Sequence, residues 1–217
     1  MTTDWIRWHH DYDAPSSSLA RRLAVVQRDL RNALADAPCG EHGVRRLVSI
    51  CAGDGRDVLP VLAEPGRGRD VRALLIELDP TLSRRARESA VDLGLSEVEV
   101  RTADAGAADT YQQVERAQVV LACGVFGNVT VDDVRRTVAA LPALLAPGGI
   151  VIWTRGRPDD GPDPSLEVRA CLADHGFAEL AFTSPTDARF RVGMHQLVEH
   201  PAHPPTLRPG TRLFTFV

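Results

Sequence analysis

Short apolar runs that alternate with helical patterns constrain the fold of this chain most. Between residues 44 and 155, five apolar runs are separated by segments with apolar residues at helical spacing. This alternation is typical of βαβ units, in which helices join parallel strands and cover the sheet. It predicts an α/β fold with a doubly wound, mostly parallel sheet. The predicted strands are Arg46–Ile50, Arg72–Glu77, Val98–Arg101, Gln118–Ala122 and Ile150–Thr154.

Helices are expected before and between these strands. Ser16 to Ser18 can cap the first helix, because serine at this position accepts a hydrogen bond from a free backbone N–H. The last helix of the core ends at Pro147-Gly148-Gly149, where glycine and proline stop helical geometry. The predicted helices are Leu19–Leu34, Arg56–Ala63, Thr81–Leu93, Ala108–Val114 and Val131–Leu145.

The pattern changes after Trp153. A helix is predicted at Leu166–Asp174, and three strand-like runs follow without helices between them, which indicates an antiparallel edge. These runs are Phe177–Thr183, Phe190–Val198 and Arg212–Val217. We expect a single domain over 1–217, with an N-terminal arm and helical cap in 1–40, a cofactor-binding core in 44–155, and C-terminal strands in 165–217 that complete the sheet.

Length and charge narrow the choice of function. The 217 residues can bury one sizeable core, and the net charge of −4 gives no general attraction to nucleic acid. The chain has no lysine, so Schiff-base chemistry and a phosphate-binding lysine are excluded. Arginine in place of lysine is typical of a GC-rich, bacterial coding sequence.

The cysteines and the hydropathy point to a soluble, cytoplasmic protein. Cys39, Cys51, Cys123 and Cys171 lack the paired spacing of a zinc or redox motif, so we expect reduced thiols and no metal site. No apolar run approaches the ~20 residues that span a bilayer.

A glycine-containing turn follows the first strand, from Ser49 to Asp57. In an open α/β sheet this turn faces the crevice at the carboxyl ends of the strands, where ligands bind. Gly53 and Gly55 would let the backbone turn sharply and approach a ligand closely. A purely structural turn would need glycines too, so this motif alone leaves both interpretations open.

Two acids follow the next strands at the same edge. Glu77, about twenty residues beyond the glycine turn, could accept both hydroxyl hydrogens of a ribose. Asp104 could accept an adenine amino hydrogen while the Ala105 N–H meets a ring nitrogen. Taken singly, Glu77 could be a solvated strand-end acid and Asp104 a helix N-cap. Together with the glycine turn they favour a nucleoside ligand.

Residues 46–154 resemble the class I S-adenosylmethionine-dependent methyltransferase family. Four blocks carry the resemblance, with Ser49 where the family commonly has an acid and Cys51 where it has its first glycine. The blocks are Ser49–Gly55, Ile76–Pro80, Asp104-Ala105 and Leu144–Gly149. The resemblance implies a seven-stranded Rossmann-like methyltransferase fold, methyltransferase activity, and S-adenosyl-L-methionine as cofactor.

The resemblance also implies site residues. Cofactor-binding residues are expected in the loops after the strands: Cys51, Ala52, Gly53, Asp54, Gly55, Asp57, Glu77, Leu78, Asp104, Ala105, Cys123 and Gly124. Family members commonly recognise the acceptor through an added N-terminal element and the loop after the fourth strand. The candidates for this role are Tyr12, Val125, Phe126, Asn128 and His195. His9 and His10 are the candidate catalytic bases, because histidine exchanges protons near neutral pH.

We therefore expect methyl transfer to an oxygen or nitrogen of a small-molecule acceptor, without nucleic acid or membrane partners. The sequence leaves open whether the chain forms a homodimer. Two other functions also remain: an NAD(P)-dependent reductase and a non-catalytic, S-adenosylmethionine-binding regulatory protein. The reductase is disfavoured because the third glycine of its G-x-G-x-x-G motif would fall on Val58.

Overall fold

The computed structural model describes Ala14, residues 17–158 and residues 160–217. In this part of the chain, seven strands form one sheet in the order β3-β2-β1-β4-β5-β7-β6. Strands β1 to β5 are parallel, and β7 lies antiparallel between β5 and β6. The predicted fold class is confirmed. The strands are β1 Arg45–Ile50, β2 Val71–Glu77, β3 Val98–Thr102, β4 Ala117–Ala122, β5 Leu145–Gly156, β6 Phe177–Thr183 and β7 Phe190–Leu197.

Five α-helices accompany the strands within the described residues. The first begins at its predicted cap, where the Ser17 hydroxyl accepts a hydrogen bond from Ala20 N at 3.0 Å. No helix in the described part of the chain combines the length and the apolar character needed to cross a bilayer. The helices are α1 Ser18–Asp36, α2 Leu59–Leu62, α3 Pro80–Asp92, α4 Val131–Leu144 and α5 Ser165–Asp174.

The helices cover both faces of the sheet and create two hydrophobic cores. On one face, α1 contributes Val26 and Leu30, which pack with α2 against β1 and β4. On the other face, α4 and α5 pack against β4 and β5, around the fully buried Trp153. Since both faces are covered, every residue of β4 is buried.

Two predicted helices are shorter than expected. The helix predicted over Arg56–Ala63 is reduced to α2, because Pro60 has no N–H to donate and is accepted only in a first helical turn. The helix predicted over Ala108–Val114 is a 3-10 helix at Ala108–Tyr111. It cannot continue because Gln113 has a positive φ of 65°.

The Pro147-Gly148-Gly149 segment lies inside β5 rather than before it. Helix α4 ends at Leu144, and the strand begins at once with Leu145 beside Ala117. Gly148 has a φ of 72°, and the pairing with β4 shifts register before Ile150. The three residues therefore form an irregularity within the strand.

The strand predicted at Arg212–Val217 is wrong. Residues 211–217, which we call the C-terminal segment, form two isolated bridges, from Arg212 to Ala107 and from Phe216 to Val129. Their backbone bonds go to two loops and not to an edge strand. Leu213 N donates to Gly106 O at 2.8 Å, and Val217 N donates to Asn128 O at 3.0 Å.

Candidate active site

The carboxyl ends of β1 to β4 open onto a pocket of about 640 Å³. This volume lies within the range of about 300–1,000 Å³ that is usual for small-molecule sites. All of the predicted cofactor-binding residues except Gly55 line it. They are Cys51, Ala52, Gly53, Asp54, Asp57, Glu77, Leu78, Asp104, Ala105, Cys123 and Gly124.

The turn after β1 is held in shape by backbone bonds and positive φ angles. Ala52 N donates to Ile76 O at 2.9 Å, which ties the turn to β2. Gly53 and Gly55 have φ angles of 58° and 81°. A Cβ on Gly55 would lie 2.6 Å from Leu59 Cδ1, so this glycine allows close packing and does not face the pocket.

Cys51 also adopts a left-handed conformation, with a φ of 55°. Such a backbone costs a residue with a Cβ about 1–2 kcal/mol, which glycine avoids. Burial raises the pKa of the Cys51 thiol, and the charges of Glu77 and Asp104 raise it further. Burial also raises the pKa of the Cys123 thiol, with a contribution from Asp57. Both thiols are therefore protonated, poor nucleophiles at neutral pH.

Glu77 ends β2 with its carboxylate oriented by two backbone donors. Gly53 N donates to Oε2 and Asp79 N to Oε1, each at 2.8 Å. The side chain is buried but lines the pocket. Because each carboxylate oxygen has a second lone pair, Glu77 can still accept two hydrogen bonds from a ligand. Leu78, next in sequence, is 64% exposed.

Asp104 follows β3 and is held by a loop and by the C-terminal segment. Its Oδ1 accepts from Gly106 N at 2.8 Å, and its Oδ2 accepts from Arg212 Nη1 at 2.9 Å. Ala105 is buried, and its carbonyl accepts from the Tyr111 hydroxyl at 2.7 Å. The Asp104 carboxylate is thus fixed at the pocket wall with its charge balanced.

The C-terminal segment forms a wall of the pocket that sequence reasoning missed. Arg212, Phe214, Thr215 and Phe216 line it. A Cβ on Gly106 would lie 2.3 Å from Phe214 O, so the segment can cross there only over a glycine. The alternation of Phe214 and Phe216 resembles that of a strand, and no local motif relates these residues to a loop about one hundred positions earlier.

Arg22 of α1 is a second lining residue that the sequence did not reveal. Its helix is fixed to the turn after β1, since Gln27 Nε2 donates to Arg56 O at 2.8 Å. The charges of Arg22 and Asp57 both reach Cys123. A lone arginine on an amphipathic helix carries no sequence signal, and the fold alone brings it to the pocket.

The loop after β4 contributes backbone to the pocket, while its predicted side chains lie elsewhere. Cys123 and Gly124 line the pocket, and Gly124 N donates to Thr154 Oγ1 at 2.8 Å. Val125 and Phe126 are fully buried in the core. Asn128 Nδ2 donates to Gly124 O at 2.7 Å, so this side chain closes the loop. The structure does not bring these three predicted acceptor residues to the pocket wall.

His195 lies in the core of the sheet face covered by α5. It is 2% exposed, and its Nδ1 accepts from Trp153 Nε1 at 3.2 Å. Burial lowers the pKa of His195 to about 4, although Glu179 opposes the shift. His195 is neutral at pH 7 and does not line the pocket, so we leave it out of the proposed acceptor site.

Three predicted residues, His9, His10 and Tyr12, lie outside the described residues. Within the described ranges, no group of histidine, cysteine, aspartate and glutamate side chains could hold a metal ion.

A family comparison decides the class of this site. Residues 18–183 match the model of a family described as "Putative methyltransferase". The chain belongs to this methyltransferase family. Its methyl donor is S-adenosylmethionine, so the alternative function of an NAD(P)-dependent reductase is excluded. A search of curated proteins finds no match.

Solved methyltransferase structures share the fold at low identity. An O-methyltransferase family protein from Burkholderia thailandensis is 18% identical, with a TM-score of 0.65, over 85% of this chain and 57% of its own. Magnesium protoporphyrin IX methyltransferase from Synechocystis PCC 6803, solved with bound SAM, is 14% identical, with a TM-score of 0.64, over 90% and 91%. An O-methyltransferase family 2 protein from Planctomyces limnophilus, in complex with apigenin, is 19% identical, with a TM-score of 0.62, over 83% and 59%. The chain thus spans little more than half of two of these proteins.

Proposed function

We propose that this methyltransferase transfers the methyl group of S-adenosylmethionine to an oxygen or nitrogen of a small-molecule acceptor. The observation that carries the proposal is the distribution of charge in the pocket. Oriented carboxylates lie at the end of β2 and after β3, and the Arg22 guanidinium of α1 lines the same pocket. A cofactor with ribose hydroxyls, an adenine amino group and a carboxylate matches that distribution.

The adenosine end of the proposed site lies at Glu77 and Asp104. Glu77 accepts the two ribose hydroxyl hydrogens, since its remaining lone pairs are free while Gly53 N and Asp79 N hold it in place. Asp104 and the Ala105 N–H face the adenine. Phe214 and Phe216, whose rings are 5.7 Å apart, give this end an apolar wall.

The methionine end of the proposed site lies between α1 and the loop after β4. Arg22 binds the cofactor carboxylate, because a guanidinium binds a carboxylate through charge-assisted hydrogen bonds. Asp57, which lines the same pocket, is the acid proposed to bind the ammonium group of the cofactor. A Cβ on Gly124 would meet no atom within 4 Å, so the absence of a side chain there leaves open space.

The chain contributes orientation more than covalent chemistry. When bound, the cofactor supplies a methyl group made electrophilic by its sulfonium. Holding an acceptor in line with that methyl group can be worth roughly 7–11 kcal/mol in favourable models. Cys51 and Cys123 line the pocket as neutral thiols, so they do not compete with the acceptor for the methyl group.

Two observations favour a small acceptor with an oxygen nucleophile as the leading case. The chain is acidic overall and has no lysine. The Burkholderia and Planctomyces proteins are both described as O-methyltransferase family proteins, one of them with apigenin bound. His9 and His10 are the proposed bases that remove the acceptor proton.

Calorimetry and a product assay test this function together. Titration with S-adenosylmethionine and with S-adenosylhomocysteine should give saturable heats. Release of S-adenosylhomocysteine should follow addition of phenols or amines and be absent without an acceptor. If no heat of binding were measured at high protein concentration, the proposed cofactor site would be wrong. Tight binding with no turnover across a broad acceptor panel would instead favour the non-catalytic regulatory protein.

The proposed bases need their own variants. Replacing His9 and His10 together with alanine should lower kcat and leave the affinity for S-adenosylmethionine unchanged. The matched control is His203→Ala, which changes an exposed histidine in the proline-rich residues 201–209 before the C-terminal segment. Full turnover in the double variant would exclude both histidines from proton removal.

A further inference from the structure

A half-buried arginine near the proposed active site has two buried nitrogen atoms without hydrogen-bond partners. Arg155 occupies the carboxyl end of β5, and none of the described residues supplies a partner for its Nε and Nη1 atoms, which are both buried. A guanidinium has five N–H donors and is always charged at neutral pH. Leaving such donors without an acceptor in a protein interior is costly.

The neighbourhood of Arg155 has an excess of positive charge. Its direct cross-strand partner on β7 is Arg191, which is 3% exposed. Like charges directly opposite each other across two strands are destabilising. Among the described residues, Asp163 is the acid whose charge acts on Arg155.

Asp163 is already engaged by other groups. Its Oδ2 accepts from Arg191 Nε at 2.7 Å, and its Oδ1 accepts from the Ser165 hydroxyl at 2.7 Å and from Ser165 N at 3.0 Å. One carboxylate therefore serves two guanidinium groups and is hydrogen-bonded to only one of them. A second anion on the accessible side of the Arg155 guanidinium would balance the charge that Asp163 leaves uncompensated.

Arg155 lies between two residues that lie beside the loop after β4, close to the pocket where the methyl acceptor would bind. Thr154, one residue earlier, accepts from Gly124 N at the pocket wall. One residue later, Gly156 N lies 3.7 Å from where a Cβ on Gly127 would be, in the loop after β4. Arg155 thus lies at the edge of the sheet where ligands of open α/β folds bind, beside the loop after β4 whose Cys123 and Gly124 line the pocket.

We propose that Arg155 binds a carboxylate or phosphate group of the methyl acceptor. This proposal rests on the methyltransferase function proposed above and narrows its substrate class to small acidic molecules. The guanidinium matches the planar geometry of a carboxylate and the oxygens of a phosphate. Arg191 and Asp163 position this site, with Arg191 held by its own bonds to Asp163 and to Phe190 O at 2.8 Å.

A thermal unfolding experiment tests the anion site without any need for turnover. Inorganic phosphate and benzoate are titrated into the full chain at constant ionic strength, with chloride as the exchanged ion. We expect a saturable rise in Tm for the wild type, none for Arg155→Met, and the wild-type rise for the control Arg84→Met, an exposed arginine on α3. No saturable rise in the wild type, or an equal rise in Arg155→Met, would overturn the site.

The stability of the variants without anions gives an independent readout. Arg155→Met removes a half-buried charge whose Nε and Nη1 atoms lack acceptors, so Tm should rise by about 2–4 °C. Arg191→Met should lower Tm, because it removes the hydrogen bonds to Asp163 Oδ2 and Phe190 O. A loss of stability in Arg155→Met as large as that in Arg191→Met would mean that Arg155 is paired in solution, and the proposal would be wrong.

An acceptor panel distinguishes an acidic acceptor from a free anion. Hydroxy and amino carboxylic acids are each paired with the corresponding amide, and release of S-adenosylhomocysteine is measured. The wild type should prefer the acids at least tenfold in kcat/KM, and Arg155→Met should lose the preference. Turnover of the amides alone would overturn the acidic substrate class and leave methyl transfer intact. Anion binding through Arg155 without any binding of S-adenosylmethionine would instead remove the proposed function.

Discussion

The two halves of the carboxyl edge of the sheet are built in different ways. In the half formed by the loops after β1, β2 and β3, side chains are held mainly by backbone donors of these three loops, as the Glu77 carboxylate is by Gly53 N and Asp79 N, although Asp104 also accepts from the distant Arg212. In the half formed by the loop after β4, the end of β5 and the C-terminal segment, the side chains of Val125 and Phe126 turn into the core. The wall there comes from backbone and from Phe214 and Phe216.

This difference separates local from long-range construction. A loop whose geometry is determined by its own residues needs particular residue types at fixed spacing, and these can be recognised in a sequence. A wall formed by a segment far along the chain depends on packing across the whole sheet. The cofactor half should therefore respond to substitutions mainly through ligand affinity, and the other half mainly through stability.

The largest effect is expected for Phe214→Ala. Phe214 is 3% exposed within the core beside α4, so its removal should lower the free energy of unfolding by about 3–5 kcal/mol. Urea denaturation measures the loss. The control is Phe216→Ala, which removes a 38% exposed ring and should cost about 1 kcal/mol. Equal, small losses in both variants would show that the C-terminal segment is not part of the core.

Because His195 is buried with a lowered pKa, the free energy of unfolding should decrease as the pH falls. Its pKa is about 4 in the folded protein and 6.5 ordinarily, so between these pH values His195 is protonated in the unfolded chain and neutral in the folded protein. The contribution to stability is complete above pH 6.5 and falls by about 3 kcal/mol as the pH drops to 4. Unfolding free energies of the wild type and His195→Gln between pH 7 and 4.5 measure it. Identical slopes in the two proteins would place His195 in contact with solvent.

In the cofactor half, Glu77→Ala should weaken binding of S-adenosylmethionine. Loss of charge-assisted hydrogen bonds costs about 1.5–3 kcal/mol, or roughly 10- to 150-fold in Kd. Isothermal titration measures the change, with Glu88→Ala on the exposed face of α3 as the control. If the folded Glu77→Ala variant keeps full affinity, the ribose binds elsewhere.

The smallest effect is expected for Cys51→Gly, which removes a Cβ from a residue with positive φ. Relief of that strain is partly offset by the greater freedom of glycine in the unfolded chain, so stability should rise by up to about 1 kcal/mol. Cys123→Gly is the matched control, since Cys123 is buried without a positive φ and should lose about 1–2 kcal/mol. If Cys51→Gly lost as much stability as Cys123→Gly, the backbone at Cys51 would not be strained.

The sequence predicted the fold well because apolar periodicity reports which faces are buried. All seven strands of the sheet overlap predicted runs, and α1 and α3 lie within two residues of their predicted bounds. The errors occurred where one residue type decides the outcome, as Pro60 does in α2, or where long-range contacts do. Phe214 and Phe216 alternate as strand residues would, yet their partners are loops.

For the candidate site, the sequence indicated the local half and missed the distant one. Glu77 and Asp104 could be placed because parallel strands end at a common edge. Arg22 and Arg212 could not, because a single arginine on a helix or in a terminal segment has no distinguishing neighbours. Arg155 was equally invisible, since only three-dimensional structure shows that its donors lack acceptors.

The C-terminal segment also has a consequence for synthesis in the cell. The loops after β1 to β4 are synthesised well before residues 212–216, which provide part of the pocket wall. A nascent chain can assemble its sheet while that wall is still missing. The pocket is therefore complete only after these last residues have docked against the loops after β3 and β4.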